Sequence, residues 1–279
     1  MPPAKTASNQ PAARRPAIGV FDSGVGGLTV LKELLRLVPG ADYLYFGDTA
    51  RLPYGSKSVD TVARYAVSAA HFLQKHHIDL LVVACNTATA LAFDQIRQAI
   101  PMPAIGVVAP GADAAARASR NRRVVVLATE ATIASHAYQR ALAERKIATQ
   151  EKPCPLFVPL VEEGWIEHPV TEQVARIYLD SVFNSQTQAA DVLLLGCTHY
   201  PLLRPLLERL VPAGVSIVDS AESTAQAVRT HFQSLHLPAA GEGPYLRFFA
   251  TDSVEKFRRL GERFLGRAIE NVQHVDVEV

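Results

Sequence analysis

Residues 79–98, DLLVVACNTATALAFDQIRQ, decide the fold. An apolar run without alternation, Leu80 to Ala84, passes directly into an amphipathic stretch of helical length, so the strand is expected to be buried on both faces. That is a βα unit of a parallel sheet, and it ends its strand on a thiol, Cys85, followed by Asn86 and Thr87.

The same punctuation extends in both directions. AIGVFDSG leads into LTVLKELLRL, and ADYLYFGD leads into VDTVARYAVSAAHFLQKH; further on come RRVVVLATEA, PLFVPLVEEG, DVLLLGCT, VSIVDS and YLRFFATD, with amphipathic segments between them. With PAIGVVAPGA (residues 103–112) these make nine strand candidates, more than one compact doubly wound sheet usually needs. The expectation is therefore α/β, with two Rossmann-like lobes of mainly parallel sheet and the active site in the cleft between them. The first lobe is expected to combine residues 17–108 with 218–279, and the second to span 109–217. Residues 1–16 hold four Pro and four Ala without periodicity and read as a disordered leader.

Composition narrows the function. Across 279 residues, 28 Lys and Arg balance 27 Asp and Glu, so no broad field draws the chain to nucleic acid or to an anionic membrane. No apolar run approaches the roughly 20 residues of a bilayer span, and MPPAKTASNQPAARRPA lacks the apolar middle of a secretory signal. A cytoplasmic protein is expected, with Cys85, Cys154 and Cys197 kept as thiols. Cys154, between Pro153 and Pro155, has no polar company and reads as a small buried hydrophobe.

The polar clusters all fall at the carboxyl ends of strand candidates: DSG at 22–24, GDT at 47–49, CNT at 85–87 and CTH at 197–199. In open parallel sheets that is where ligands bind. LLLGCTHYP (193–201) repeats the pattern of LLVVACNTAT (80–89), an apolar run delivering a thiol to hydrogen-bonding neighbours. Two such thiols facing one pocket would supply an acid and a base on opposite sides of a carbon, the geometry of stereoinversion.

Other readings compete for the same residues. FDSGVGG (21–27) fails as a dinucleotide fingerprint because the third glycine position falls on Thr29, and a Walker A lysine is absent. Its glycines allow close backbone approach, with Asp22 and Ser23 either facing the cleft or capping the following helix. In RLPYGSKS (51–58), Pro53 and Gly55 enforce a turn whose N–H groups at Tyr54, Gly55 and Ser56 could cradle a carboxylate, or it is an ordinary surface turn. Cys85, Cys197 and His199 lack the paired local spacing of a zinc site, and no metal is expected. A Cys197–His199 nucleophile pair leaves Cys85 unexplained.

FDSGVGGLTVL, YFGDTARLPYGSKS, DLLVVACNTATA, ATEATIASHAY, FVPLVEEG and LLLGCTHYPLL occur in the order found in the glutamate racemases, which the chain resembles from Ile18 to the helix after Val218. These are cofactor-independent enzymes making D-glutamate for bacterial peptidoglycan. The resemblance implies that Cys85 and Cys197 are the acid–base pair, with Cys197 the base toward L-glutamate. It places Asp22 beside the first thiol, His199 beside the second, and Asp48 and either Glu162 or Glu163 as supporting acids. It also implies substrate contacts from Asp22, Ser23, Pro53, Tyr54, Gly55, Ser56, Asn86, Thr87, Thr198 and His199, with Thr132 at the rim, and a homodimer. An aspartate racemase of the same superfamily and a non-catalytic amino-acid-binding protein are the alternatives.

Overall fold

The computed structural model describes residues 15–184, 189–233 and 244–278. The chain begins as a regular βα alternation: β1 (Ala17–Asp22), α1 (Leu28–Leu37), β2 (Asp42–Gly47), α2 (Val59–Gln74), β3 (Leu80–Val83), α3 (Asn86–Ala99) and β4 (Ala104–Gly106). It continues through α4 (Val108–Ala118), β5 (Arg123–Ala128), α5 (Glu130–Ala134), α6 (Ala137–Glu144), β6 (Ala148–Pro153), α7 (Phe157–Glu162), α8 (Pro169–Phe183) and β7 (Val192–Gly196). The remainder is α9 (Arg204–Leu210), β8 (Ser216–Asp219), α10 (Ser220–His231), β9 (Leu246–Ala250), α11 (Val254–Leu265) and β10 (Val272–His274).

The strands form two sheets, both parallel throughout: β10-β9-β2-β1-β3-β4 and β6-β5-β7-β8. The continuous apolar runs account for this, since β1, β3, β5 and β7 are covered on both faces and bury almost every side chain. Strand order reverses between β1 and β3 in the first sheet and between β5 and β7 in the second. Those are the switch points at which adjacent connections leave to opposite faces and open a crevice. Cys85 follows β3, and Cys197 follows β7.

Parallel register fixes what meets at the crevices. Phe21 pairs with Phe46 and Val83, and Asp22 with Gly47, so the ends of β1, β2 and β3 are level. In the second sheet Ala128 pairs with Gly196. One apolar cluster runs from Ile18, Val20 and Tyr43 of the first sheet to Val125, Leu127 and Leu193 of the second, and α10 packs on both α1 and α4 across the join. Each fully buried aliphatic side chain there contributes about 1.5–3 kcal/mol relative to exposure.

Three expectations need correction. PLFVPLVEEG is not a strand: Phe157–Glu162 is a helix that buries only Phe157 and Val161, four residues apart. Its short apolar run cannot distinguish the two periods locally. Two strands lacked an apolar signature: β6 (ATQEKP) and β10 (VQH) are outermost in their sheets and largely uncovered. Of the leader, residues 1–14 lie outside the described residues; Arg15 pairs with Asp42 at 3.3 Å, and the Pro16 carbonyl accepts from Asp42 N–H, so these two residues are tied to β2. The expected lobe boundaries fall at the start of α4 and within β8, which pairs with β7 through Asp219.

Candidate active site

Between the carboxyl edges of the two sheets lies a cavity of about 350 Å³, within the range that holds a small metabolite. Ser23, Pro53, Tyr54, Gly55, Ser56, Cys85, Asn86, Thr87, Glu162, Cys197, Thr198 and His199 all line it. The turns after β1, β2, β3 and β7 therefore converge on one space, though they are far apart in the chain.

Cys85 occupies the N-cap of α3, where its sulfur accepts the Ala88 N–H at 3.4 Å and lies 3.5 Å from Ser23 Oγ. A helix N-terminus favours negative charge, but burial and then the neighbouring Asp22 carboxylate prevail and push the thiol up to about 12. Cys85 stands as a protonated acid.

Asp22 is fully buried beneath this thiol, with one oxygen accepting the Gly24 N–H at 2.9 Å and Oδ1 without a partner. Burial raises its carboxyl, offset in part by the nearby His199 charge.

The other side is electrostatically opposite. His199 Nδ1 lies 4.0 Å from Cys197 Sγ, while Nε2 donates to Glu162 Oε1 at 3.1 Å. Burial alone would depress this imidazole, yet its hydrogen bonds to Cys197 and Glu162 hold it protonated, with a pKa of about 10. Glu162 moves the other way: burial opposes ionisation, but the bond from His199 brings it below the usual carboxylate range. Glu162, and not Glu163, is thus the acid that reaches His199. The imidazolium thus places a positive charge beside the Cys197 sulfur.

Asp48 is completely buried behind the wall, accepting from Tyr54 Oη at 2.6 Å, Thr251 Oγ1 at 2.9 Å and Arg51 Nη1 at 3.0 Å. It holds Tyr54 from behind, and Tyr54–Ser56 forms a single 3₁₀ turn closed by Lys57 N–H on the Tyr54 carbonyl. Thr132 is also fully buried, and not at the rim as expected: its hydroxyl is 3.2 Å from that of Thr87 and 2.9 Å from that of Thr129. The rim position belongs to Thr129 and Glu130. They follow β5 as Cys85 follows β3, a parallel that only the strand order exposes. Val158 and Pro159 of α7 complete an apolar wall that the strand assignment of that segment had hidden.

Asn86 lines the cavity with its amide fixed from behind, Nδ2 donating to Tyr138 Oη at 2.7 Å and Ser220 Oγ at 3.3 Å. Among the described residues, no group of three or more His, Cys, Asp or Glu side chains is placed to hold a metal ion, and no helix is long and apolar enough to cross a membrane.

Fold and site together define an α/β enzyme whose two parallel sheets each present a thiol, one in an acidic and one in a cationic setting, to a shared small-molecule cavity. The sequence model of the Asp/Glu/Hydantoin racemases matches residues 18–228. The chain is 58% identical to the glutamate racemase of Koribacter versatilis, covering 95% of this chain and 98% of that one. The crystal structure of a glutamate racemase isoform from Bacillus anthracis superposes with a TM-score of 0.87 at 37% identity, covering 94% of this chain and 97% of that one. That of the Francisella tularensis glutamate racemase in complex with D-glutamate gives 0.85 at 35% identity, with the same coverage of each chain. The chain belongs to the Asp/Glu/Hydantoin racemase family and is an amino-acid racemase.

Proposed function

We propose that the protein is a glutamate racemase that interconverts L- and D-glutamate by two-base proton transfer at Cα, supplying D-glutamate for peptidoglycan synthesis in the cytoplasm. The observation that carries the mechanism is the unequal setting of two thiols on one cavity, Cys85 held as an acid and Cys197 beside a protonated imidazole. With L-glutamate bound, a Cys197 thiolate removes the Cα proton while Cys85 delivers its own from the opposite face. The bond to the departing proton breaks as the new C–H bond forms, and the enzyme is left with Cys197 protonated and Cys85 ionised. That form accepts D-glutamate and runs the step in reverse.

Ser23, which lines the cavity, is proposed to receive the substrate ammonium, with the buried Asp22 carboxylate supplying negative charge from behind it. The substrate carboxylates fall to the Tyr54–Ser56 turn, Asn86, Thr87 and Thr198. A dry, small cavity strengthens each of these interactions. Leu156, Trp165, Val170 and Ile177, exposed apolar side chains on or beside α7 and α8, support a homodimer.

The deciding experiment is incubation with L-glutamate, and separately with L-aspartate, in D₂O without added cofactor, following circular dichroism and deuterium at Cα. Loss of the glutamate signal with deuterium incorporation is expected, and Cys85→Ala should slow it by about 10²–10⁴. Racemisation of aspartate alone would move the substrate assignment. Tight glutamate binding without exchange would make the protein a binding module.

A further inference from the structure

Arg51 stands next to the cavity wall without lining the cavity, and it joins two distant parts of the chain. Its Nη1 donates to the buried Asp48 carboxylate at 3.0 Å, its Nη2 donates to the Val277 carbonyl, and its guanidinium lies over the Tyr65 ring, 5.2 Å from the centroid. Asp48 in turn holds the Tyr54 hydroxyl at 2.6 Å. Beyond β10 the chain continues extended: Val275 N–H donates to the Ala250 carbonyl, and Val275 and Val277 pack inward on the core beside α2 while Asp276 and Glu278 face solvent. His274 Nε2 and the Thr251 carbonyl, 3.1 Å apart, tie the start of this stretch to Thr251, the residue whose hydroxyl also bonds Asp48. The final described residues thus reach the Asp48 carboxylate through two intermediaries, Arg51 of the turn after β2 and Thr251 after β9.

We propose that residues 275–277 form a strap across the first sheet, and that Arg51, held by the strap, is a positioning residue for the cavity-lining turn at Tyr54–Ser56. The proposal rests on the reading above that this turn contacts the substrate. A planar fork suits Arg51 because one guanidinium must satisfy a carboxylate and a backbone carbonyl at once. Releasing the strap leaves Arg51 with one hydrogen-bond partner, loosens Asp48, and lets the Tyr54–Ser56 turn depart from the geometry in which it meets substrate.

The test uses the full-length chain with Arg51→Ala, Arg51→Lys and the double change Val275→Asp/Val277→Asp. For glutamate, Arg51→Ala and the double variant should raise KM by about fivefold or more with kcat changed by less than about threefold, the signature of lost binding and not of lost proton transfer. Arg51→Lys should recover part of the KM, since an ammonium reaches Asp48 but offers no second fork. Unchanged KM in folded Arg51→Ala would overturn the proposal. Hydrogen–deuterium exchange supplies a readout independent of turnover: amides at Tyr54–Ser56 should exchange faster in the double variant, and on wild-type protein saturating D-glutamate should slow exchange at Val275 and Val277, as reciprocity between coupled sites demands. Unaltered exchange in both would equally overturn the strap. A wild-type enzyme that does not racemise glutamate would instead sink the functional reading, and the amides of the turn in the double variant would still decide the strap.

Discussion

His199 is where single-residue chemistry has the widest reach, because it couples the Cys197 sulfur to the Glu162 carboxylate. Two opposite shifts define the pH window of this pair. His199, raised to about 10, contributes stability that is complete below its unfolded value near 6.5 and is lost as pH rises through 10. Glu162, lowered, contributes stability that is present above its unfolded value and lost as pH falls through its folded one. Glu162→Gln should therefore cost about 2 kcal/mol near pH 7.5 and progressively less as pH rises toward 10 and in acid. Urea denaturation at these pH values measures it, and a difference independent of pH would show that the pair is not ionic. The same variant should shift the fall of activity in alkali to lower pH, since the imidazole loses the negative charge that keeps it protonated.

At the scale of elements, the N-terminus of α1 reaches across the cleft through a residue with no side chain. A Cβ on Gly26 would lie 2.3 Å from Thr198 Oγ1 and 2.5 Å from His199 Nδ1, both on the turn that carries Cys197. Thr29 completes this contact, its hydroxyl bonding the Gly26 carbonyl at 2.9 Å and the Thr198 carbonyl at 3.1 Å. Gly26→Ala should displace the Cys197 turn and cut kcat/KM by about tenfold or more, with a stability loss of about 1–3 kcal/mol. Measuring steady-state kinetics alongside denaturant unfolding separates the two, and full activity would show that the turn yields without consequence. FDSGVGG as a sequence announced close approach, but whether to a phosphate, a backbone or another loop was decided by β7 arriving opposite it. The helical nature of Phe157–Glu162 was equally hidden, and with it the reason Glu162 points into the cavity.

The proposed homodimer belongs to the whole molecule: light scattering should report about twice the 30.2 kDa chain mass, and the mass of a single chain at micromolar concentration would remove it. At this scale the division between sequence and structure is also plain. Parallel strands, the βα alternation and both thiols were legible because burial on two faces writes itself as unbroken apolar runs, and because strand ends collect polar residues by local necessity. The placing of Asp22 beside Cys85 and of His199 beside Cys197 was implied by the resemblance to the glutamate racemases; its electrostatic sense was not. Asp22 and Asp48 were recognisable as polar residues at strand ends, and Thr132 was implied by the resemblance, yet only packing put all three behind the wall, where burial and shared hydrogen bonds set their properties. Thr129, Glu130, Arg51 and the residues after β10 carry no local signal, because their roles arise from contacts with elements up to 226 positions away. Sequence by itself determined which residues could do acid–base chemistry and at which strand ends they lie; the tertiary structure decided which of them share one cavity and that burial raises the Cys85 thiol, since dielectric and charge environment are properties of the folded neighbourhood and not of the chain.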